Sequence, residues 1–288
     1  MNILITGCYG QLGTEMGKIA ANRSDHQWFF TDIDRLDICN PDALEAMFSE
    51  HQINVCLNCA AYTAVDMAED QPEKASLINA YAPQLLAETC LRHHATLLHV
   101  STDYVFAGDA QSPYKEDDPI APQSVYGQTK ADGERRIRES GCSHLIVRTA
   151  WLYSSTGKNF VKTMLKLAET HESVNVVSDQ QGTPTWAGDL AQALMKLLDH
   201  YGTRHVQETF HFTNEGITTW DRFADAVFQI AGCPCQVNPI TTAQYPTKAS
   251  RPAYSVLDKT KIKDTLGIEI PFWEDSLRKC IEELNNKQ

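Results

Sequence analysis

Tyr126 and Lys130 stand four residues apart in the run Ser124-Val125-Tyr126-Gly127-Gln128-Thr129-Lys130. On a helix that spacing sets both side chains on one face, one turn from each other. A free phenol titrates at about 10 and donates protons poorly at neutral pH. An ammonium group one turn away stabilises the phenolate and draws that value down toward the working range. Such a pair can deliver a proton to a carbonyl oxygen while hydride reaches the carbon. Thr102 ends the apolar run Leu97-Leu98-His99-Val100-Ser101 and offers a hydroxyl to bond and orient that carbonyl. A threonine in this place serves equally well as a turn cap. The Tyr-Lys spacing arises readily by chance among ten tyrosines, so its weight depends on the elements around it.

Those elements begin at the N-terminus. The apolar run Ile3-Leu4-Ile5 leads into Thr6-Gly7-Cys8-Tyr9-Gly10-Gln11-Leu12-Gly13, and Thr14 to Ala21 reads as helix. In this strand, glycine turn and helix, Gly7 permits the sharp turn, Gly10 lets backbone N–H groups approach a pyrophosphate, and Gly13 clears the helix crossing. The anion would sit on the positive end of the helix dipole. An ordinary turn with no ligand has the same outline, but the placement between strand and helix favours a dinucleotide. Gln27 to Thr31 reads as the second strand and ends at Asp32, where a carboxylate would hydrogen-bond the adenosine ribose hydroxyls and favour NADH.

Asn40 caps a helix through Ser49, and Val55 to Ala61 reads as a buried strand ending in the small residues Asn58-Cys59-Ala60-Ala61. Pro72 to His93 reads as one long helix, and Ala95 to Ser101 as another strand. Ala107 to Gln123, rich in Pro, Asp and Gly, reads as an irregular surface loop. The helix with Tyr126 continues to about Glu139, and His144 to Thr149 reads as the sixth strand. This alternation predicts an α/β fold: a Rossmann-type doubly wound parallel sheet with ligands at its carboxyl edge. Residues 1–150 are expected to form the dinucleotide-binding domain. Residues 151–288 are expected to form mainly a smaller substrate-binding lobe, with 187–212 returning to the first domain.

The formal charge of −12 argues against a nucleic-acid partner, which needs a basic face. No apolar run is long enough to cross a membrane, and the N-terminus enters a strand without a secretory signal, so the protein reads as cytoplasmic. Nine scattered cysteines read as reduced thiols. Cys56 and Cys59 have redox or zinc-like spacing, but residues three apart on a strand point to opposite faces.

The glycine motif, Asn58-Cys59-Ala60-Ala61, Ser101-Thr102-Asp103 and the Tyr126/Lys130 pair resemble those of the extended short-chain dehydrogenase/reductase family. More closely, the chain resembles the dTDP-4-dehydrorhamnose reductase family over essentially its whole length. The segments that carry this are Tyr62-Thr63-Ala64-Val65-Asp66-Met67-Ala68-Glu69, Ser101-Thr102-Asp103-Tyr104-Val105-Phe106, Arg148-Thr149-Ala150-Trp151-Leu152-Tyr153, Asp179-Gln180-Gln181-Gly182-Thr183-Pro184-Thr185 and Ala249-Ser250-Arg251-Pro252. The resemblance implies reduction of the C4 ketone of dTDP-4-dehydro-L-rhamnose by NADPH, with NADH also accepted.

It implies Thr102, Tyr126 and Lys130 as the catalytic triad. Around the dinucleotide it implies Gly7, Gly10, Gln11, Leu12, Asp37, Ile38, Ala60, Ala61, Tyr62 and Lys130, beside Asp32. Around the substrate it implies Thr102, Asp103, Val105, Tyr126, Trp151 and Arg251. Trp151 would pack on the sugar ring, or else be a core aromatic. Arg251 would grip the diphosphate, or else pair with a nearby carboxylate. Some members form dimers around Mg2+ held by glutamates. Glu15 and Glu283 match two of those positions, but Gly188 holds the third with Asp189 beside it, leaving metal and a monomer or homodimer open. Two rivals remain: a sugar-nucleotide epimerase or dehydratase, although dehydratases place Glu after the Asp where this chain has Tyr104, and a regulatory subunit similar to that of methionine adenosyltransferase.

Overall fold

The structure, a computed structural model, describes residues 1–286. Strands β1 (Asn2–Thr6), β2 (Gln27–Thr31), β3 (Val55–Asn58), β4 (Thr96–Thr102) and β5 (Ser143–Thr149) form one sheet with the strand Gln207–His211. The order is Gln207–His211, β5, β4, β3, β1, β2, and every pairing is parallel. The helices are α1 (Gln11–Ala20), α2 (Pro41–His51), α3 (Val65–Asp70), α4 (Pro72–Ser76), α5 (Ala82–Arg92), α6 (Val125–Ser140), α7 (Phe160–Ala168), α8 (Ala187–Tyr201), α9 (Trp220–Ala231), α10 (Thr260–Leu266) and α11 (Trp273–Asn285).

Alternation along β1 builds the two faces of this sheet. Ile3 and Ile5 join one cluster with Met16 of α1 and Leu190 and Leu194 of α8. Leu4 points the other way, into a cluster with Phe48, Leu86, Cys90 and Ile146. Because β2 lies on one side of β1 and β3 on the other, the chain reverses direction across the sheet at β1. That reversal opens a crevice at the carboxyl ends of β1 and β3, where ligands of such folds bind. A separate core, with Val161, Val174, Phe223, Phe228 and Leu277, packs α7, α9 and α11 around the parallel pair Ser173–Val177 and Gln236–Ile240.

The structure departs from the sequence reading in four places. Strand β3 stops at Asn58 rather than Ala61, because the Ala60 N–H donates to the Asn58 side chain (3.2 Å) instead of a neighbouring strand. The expected single helix Pro72 to His93 contains a π-helical turn, Leu77–Tyr81, between α4 and α5. The strand counted sixth is the fifth, because only four strands precede it in the chain. Finally, the sequence reading does not include the short α3 or the pair Ser173–Val177 and Gln236–Ile240; the second of these strands is mostly exposed and holds Pro239, so no apolar run marks it.

Candidate active site

Strand β1 delivers Thr6 to the crevice, and the chain then turns at Gly7 with φ +66°. A side chain is doubly excluded there: the backbone is left-handed, and a Cβ would stand 2.7 Å from the Ala60 nitrogen. Gly10 precedes α1 and lays no side chain over its first turn, so the positive end of the helix faces the crevice. Gly7, Gly10, Asp32, Asp37, Ile38, Ala60 and Ala61 surround a cavity of about 370 Å³ beside it. Asp32 accepts the Tyr9 N–H (3.1 Å) and the Ile33 N–H (2.9 Å), and Asp37 accepts the Cys39 N–H (2.9 Å).

A second cavity of about 570 Å³ opens at the carboxyl ends of β4 and β5. Gln11, Leu12, Thr102, Asp103, Tyr126, Lys130 and Trp151 all line it. The start of α6 sets the position of Tyr126. Ser124 caps it by accepting the Gly127 N–H (3.1 Å), and Glu69 of α3 accepts the Val125 N–H (2.9 Å). Two turns further on, Glu134 forms two hydrogen bonds with Arg148 of β5 (2.9 and 2.8 Å), both residues being at most 1% exposed. Burial alone would raise the Glu134 carboxyl, but the charge and hydrogen bonds of Arg148 outweigh it and hold the pKa down to about 2. This pair locks the helix of Tyr126 and Lys130 onto the sheet.

The electrostatics correct one sequence expectation. The Tyr126 phenol is pushed up from its ordinary value by burial, with only the Thr102 hydroxyl working against it. Lys130 Nζ donates to the Val100 carbonyl (2.7 Å) and lies 3.3 Å from His99 Nε2. Burial instead brings Lys130 down to about 8, with Glu134 pulling the other way. Asp103, whose Oδ1 accepts the Thr102 hydroxyl (2.9 Å), is raised by burial to about 6. The cleft therefore holds a protonated phenol, a hydroxyl and an easily neutralised amine, a set suited to handing a proton to an oxygen.

The other expected residues fall in several places. Trp151 lines the cleft with a left-handed backbone (φ +49°) and stacks on Trp220 at 3.6 Å between ring centroids. Gly182 lies against that indole, where a Cβ would meet Trp151 Cε2 at 2.5 Å. Arg251 does not line the catalytic cleft. It borders an adjoining cavity of about 430 Å³ and pairs with Asp66 (2.6 Å) and the Tyr104 hydroxyl (3.1 Å). Val105 is fully buried with Phe106, Tyr114 and Leu257 and lines neither cavity, which corrects its expected contact with substrate. Tyr62 lines neither the 370 Å³ nor the 570 Å³ cavity. Its hydroxyl meets Gln71 (3.2 Å), so it holds the loop after β3 rather than facing the crevice.

Glu15 and Glu283 do converge, but on the Lys18 ammonium (2.7 and 2.6 Å). Asp189 is engaged elsewhere, by Asn214 (2.6 Å) and Ser276. The two glutamates thus close on the cation of Lys18, and Asp189 does not join them, which does not fit a Mg2+ site.

Asn79 and His99 were not singled out. The π-helical turn lets Asn79 accept the Tyr62 N–H (2.8 Å) and donate to its carbonyl (3.0 Å) and to Thr129 (3.2 Å), clamping the loop after β3 to α6. The available signal was a polar residue inside an apolar run: His99 interrupts Leu97-Leu98-His99-Val100 and is wholly buried.

A glycine turn at the reversal of a parallel sheet, with Thr, Tyr and Lys on the neighbouring strand and helix, defines the short-chain dehydrogenase/reductase class. Within it, the chain belongs to the family described as RmlD substrate binding domain, which matches residues 1–286. It is 42% identical to a probable dTDP-4,6-dihydroxy-2-methyloxan-3-one 4-ketoreductase of Streptomyces antibioticus, over 99% of this chain and 96% of that one. Among solved structures it is similar to a dTDP-4-dehydrorhamnose reductase of Clostridium acetobutylicum, with 43% identity and a TM-score of 0.94 over 99% of this chain and 100% of that one. It is also similar to the dTDP-4-dehydrorhamnose reductase of Bacillus anthracis in complex with NADP, with 34% identity and a TM-score of 0.93 over 98% and 99%.

Proposed function

We propose that the protein reduces the C4 ketone of dTDP-4-dehydro-L-rhamnose to dTDP-L-rhamnose with NADPH. The observation that carries this reading is the full-length kinship with reductases of that name, joined to a cleft in which Thr102, Tyr126 and Lys130 converge. The bare first turn of α1 and the Gly7–Ala60 contact suit a dinucleotide diphosphate, with Asp32 and Asp37 toward its adenosine end. When bound, NADPH supplies the hydride that C4 receives.

The chain's own residues handle the oxygen. Thr102 turns its hydroxyl proton from Asp103 to the ketone and aligns it, and Tyr126 gives its phenolic proton to the oxygen as negative charge develops there. Lys130 balances the phenolate that remains. Trp151, backed by Trp220, offers a flat apolar face to the sugar, and Arg251 reaches the diphosphate by exchanging its bond to Asp66. Asp32 favours an unphosphorylated ribose, so NADH is accepted as well.

The test is oxidation of NADPH and of NADH, followed by absorbance, with dTDP-4-dehydro-L-rhamnose and with a UDP-linked 4-keto sugar. Net oxidation with the dTDP substrate and formation of dTDP-L-rhamnose are expected. An unchanged cofactor would point instead to an epimerase or dehydratase.

A further inference from the structure

A line of buried polar side chains runs beneath the cleft from the glycine turn to Lys130, and the reduction described above leaves it without a role. The Ala60 N–H donates to Asn58 Oδ1 (3.2 Å), and the Thr6 hydroxyl donates to the same oxygen (2.6 Å). Asn58 Nδ2 then lies 3.0 Å from His99 Nδ1, and His99 Nε2 lies 3.3 Å from Lys130 Nζ. Asn58, His99 and Lys130 are at most 2% exposed, so bulk solvent does not rearrange these bonds.

Each link constrains the next. A backbone N–H can only donate, so Asn58 must turn its oxygen toward Ala60 and its NH2 toward His99. That NH2 needs a lone pair on Nδ1. A neutral imidazole with Nδ1 bare carries its proton on Nε2, where it points at Lys130. An ammonium has no lone pair to accept that proton. A neutral amine accepts it and still donates to the Val100 carbonyl at 2.7 Å.

We propose that His99 is a positioning residue for the reduction: with its tautomer set by Asn58, it donates Nε2–H to Lys130 and holds that side chain as a neutral amine in the ligand-free protein. The catalytic meaning rests on the reading of Lys130 given above; the tautomer does not.

The surroundings agree. Burial keeps His99 uncharged. Burial has already brought Lys130 down to about 8, and a donor aimed at Nζ favours the neutral amine further. Among the other titratable groups around the pair, Glu134 favours charge on Lys130 and on His99. Glu134, on the same helix, is taken by Arg148 of β5 and Arg138 of α6. His144 of β5 is held neutral by burial, and burial keeps the proton on Tyr126. Tyr126 thus retains the proton it must deliver, and His99 sets the pH at which the pair becomes charged.

Two measurements on the full chain test this. Nitrogen-15 histidine spectra of the ligand-free protein, assigned with His99→Gln, report the tautomer directly. A bare Nδ1 and a protonated Nε2 are expected between about pH 6 and 9; a protonated Nδ1 overturns the proposal. The Lys130 side chain, labelled with carbon-13 and assigned with Lys130→Met, is then titrated in wild type and in His99→Gln. The amide of Gln can turn its oxygen to an ammonium, so the midpoint is expected to rise by about one unit, tenfold in the protonation constant. The pH profile of kcat should move the same way. An unmoved lysine midpoint overturns the proposal, and a lower kcat with an unmoved profile marks His99 as merely structural. Neither spectrum needs substrate, so an error in the assigned substrate shows itself separately, as absent NADPH oxidation.

Discussion

The two walls of the cleft are built on different physics. The sheet wall, from β4, β5 and α6, is held by buried polar groups with directional bonds: Glu134 to Arg148, Asn58 to His99, Asn79 to the loop after β3. The opposite wall is held by ring stacking, with Trp151 on Trp220 and Phe160 on Phe223, and by the part-exposed pair Arg251 and Asp66. Buried hydrogen bonds tolerate little movement before a partner is left unsatisfied, which suits a proton donor that must be placed to within a fraction of an ångström. Stacked rings and a solvated ion pair slide and exchange partners at small cost, which suits a surface that admits and releases a large ligand.

The sharpest break of this comparison is Tyr126→Phe. It removes one hydroxyl from the sheet wall and should lower kcat by about 10²–10⁴-fold, with NADPH affinity by fluorescence titration nearly unchanged. Equal loss of both would mean that the residue is a prop rather than a proton donor.

Glu134→Gln tests how far that wall depends on its ion pair. It leaves Arg148 buried without its counter-charge and should cost about 3–5 kcal/mol of stability in urea unfolding. The sign with pH follows from the lowered carboxyl. The contribution is complete above the ordinary value of 4.5 and is lost as pH falls through about 2, so the wild type should lose stability in that window where the variant loses less.

Gly182→Ala strikes the other wall. Its Cβ would displace the Trp151 indole without touching the sheet, so kcat/KM should fall by about 10–10²-fold while the pH profile keeps its shape. A shifted profile would show that the two walls are coupled.

Much of the sheet wall was legible as one-dimensional pattern. The glycine turn, the strands ending at Thr6, Thr31 and Thr102, and the Tyr126/Lys130 spacing all belong to segments whose local chemistry matches their final place. What could not be read was partnership. The expectation that Lys130 acidifies Tyr126 came from helical spacing alone. Val100 and His99, about 30 residues earlier in the chain, instead claim the amine. Arg251 likewise finds Asp66, 185 residues away, and Lys18 comes between Glu15 and Glu283. Val105 sits in a segment that matches the family, yet its neighbours bury it.

By itself, the order of residues determined the parallel sheet, its glycine turn and which side chains arrive at its carboxyl edge, because strand and helix periods and backbone sterics are local properties. Only the tertiary structure decided which of those side chains hold charge and where their protons lie. Burial and hydrogen-bond partners set both, and the strands that supply them meet through space rather than along the chain.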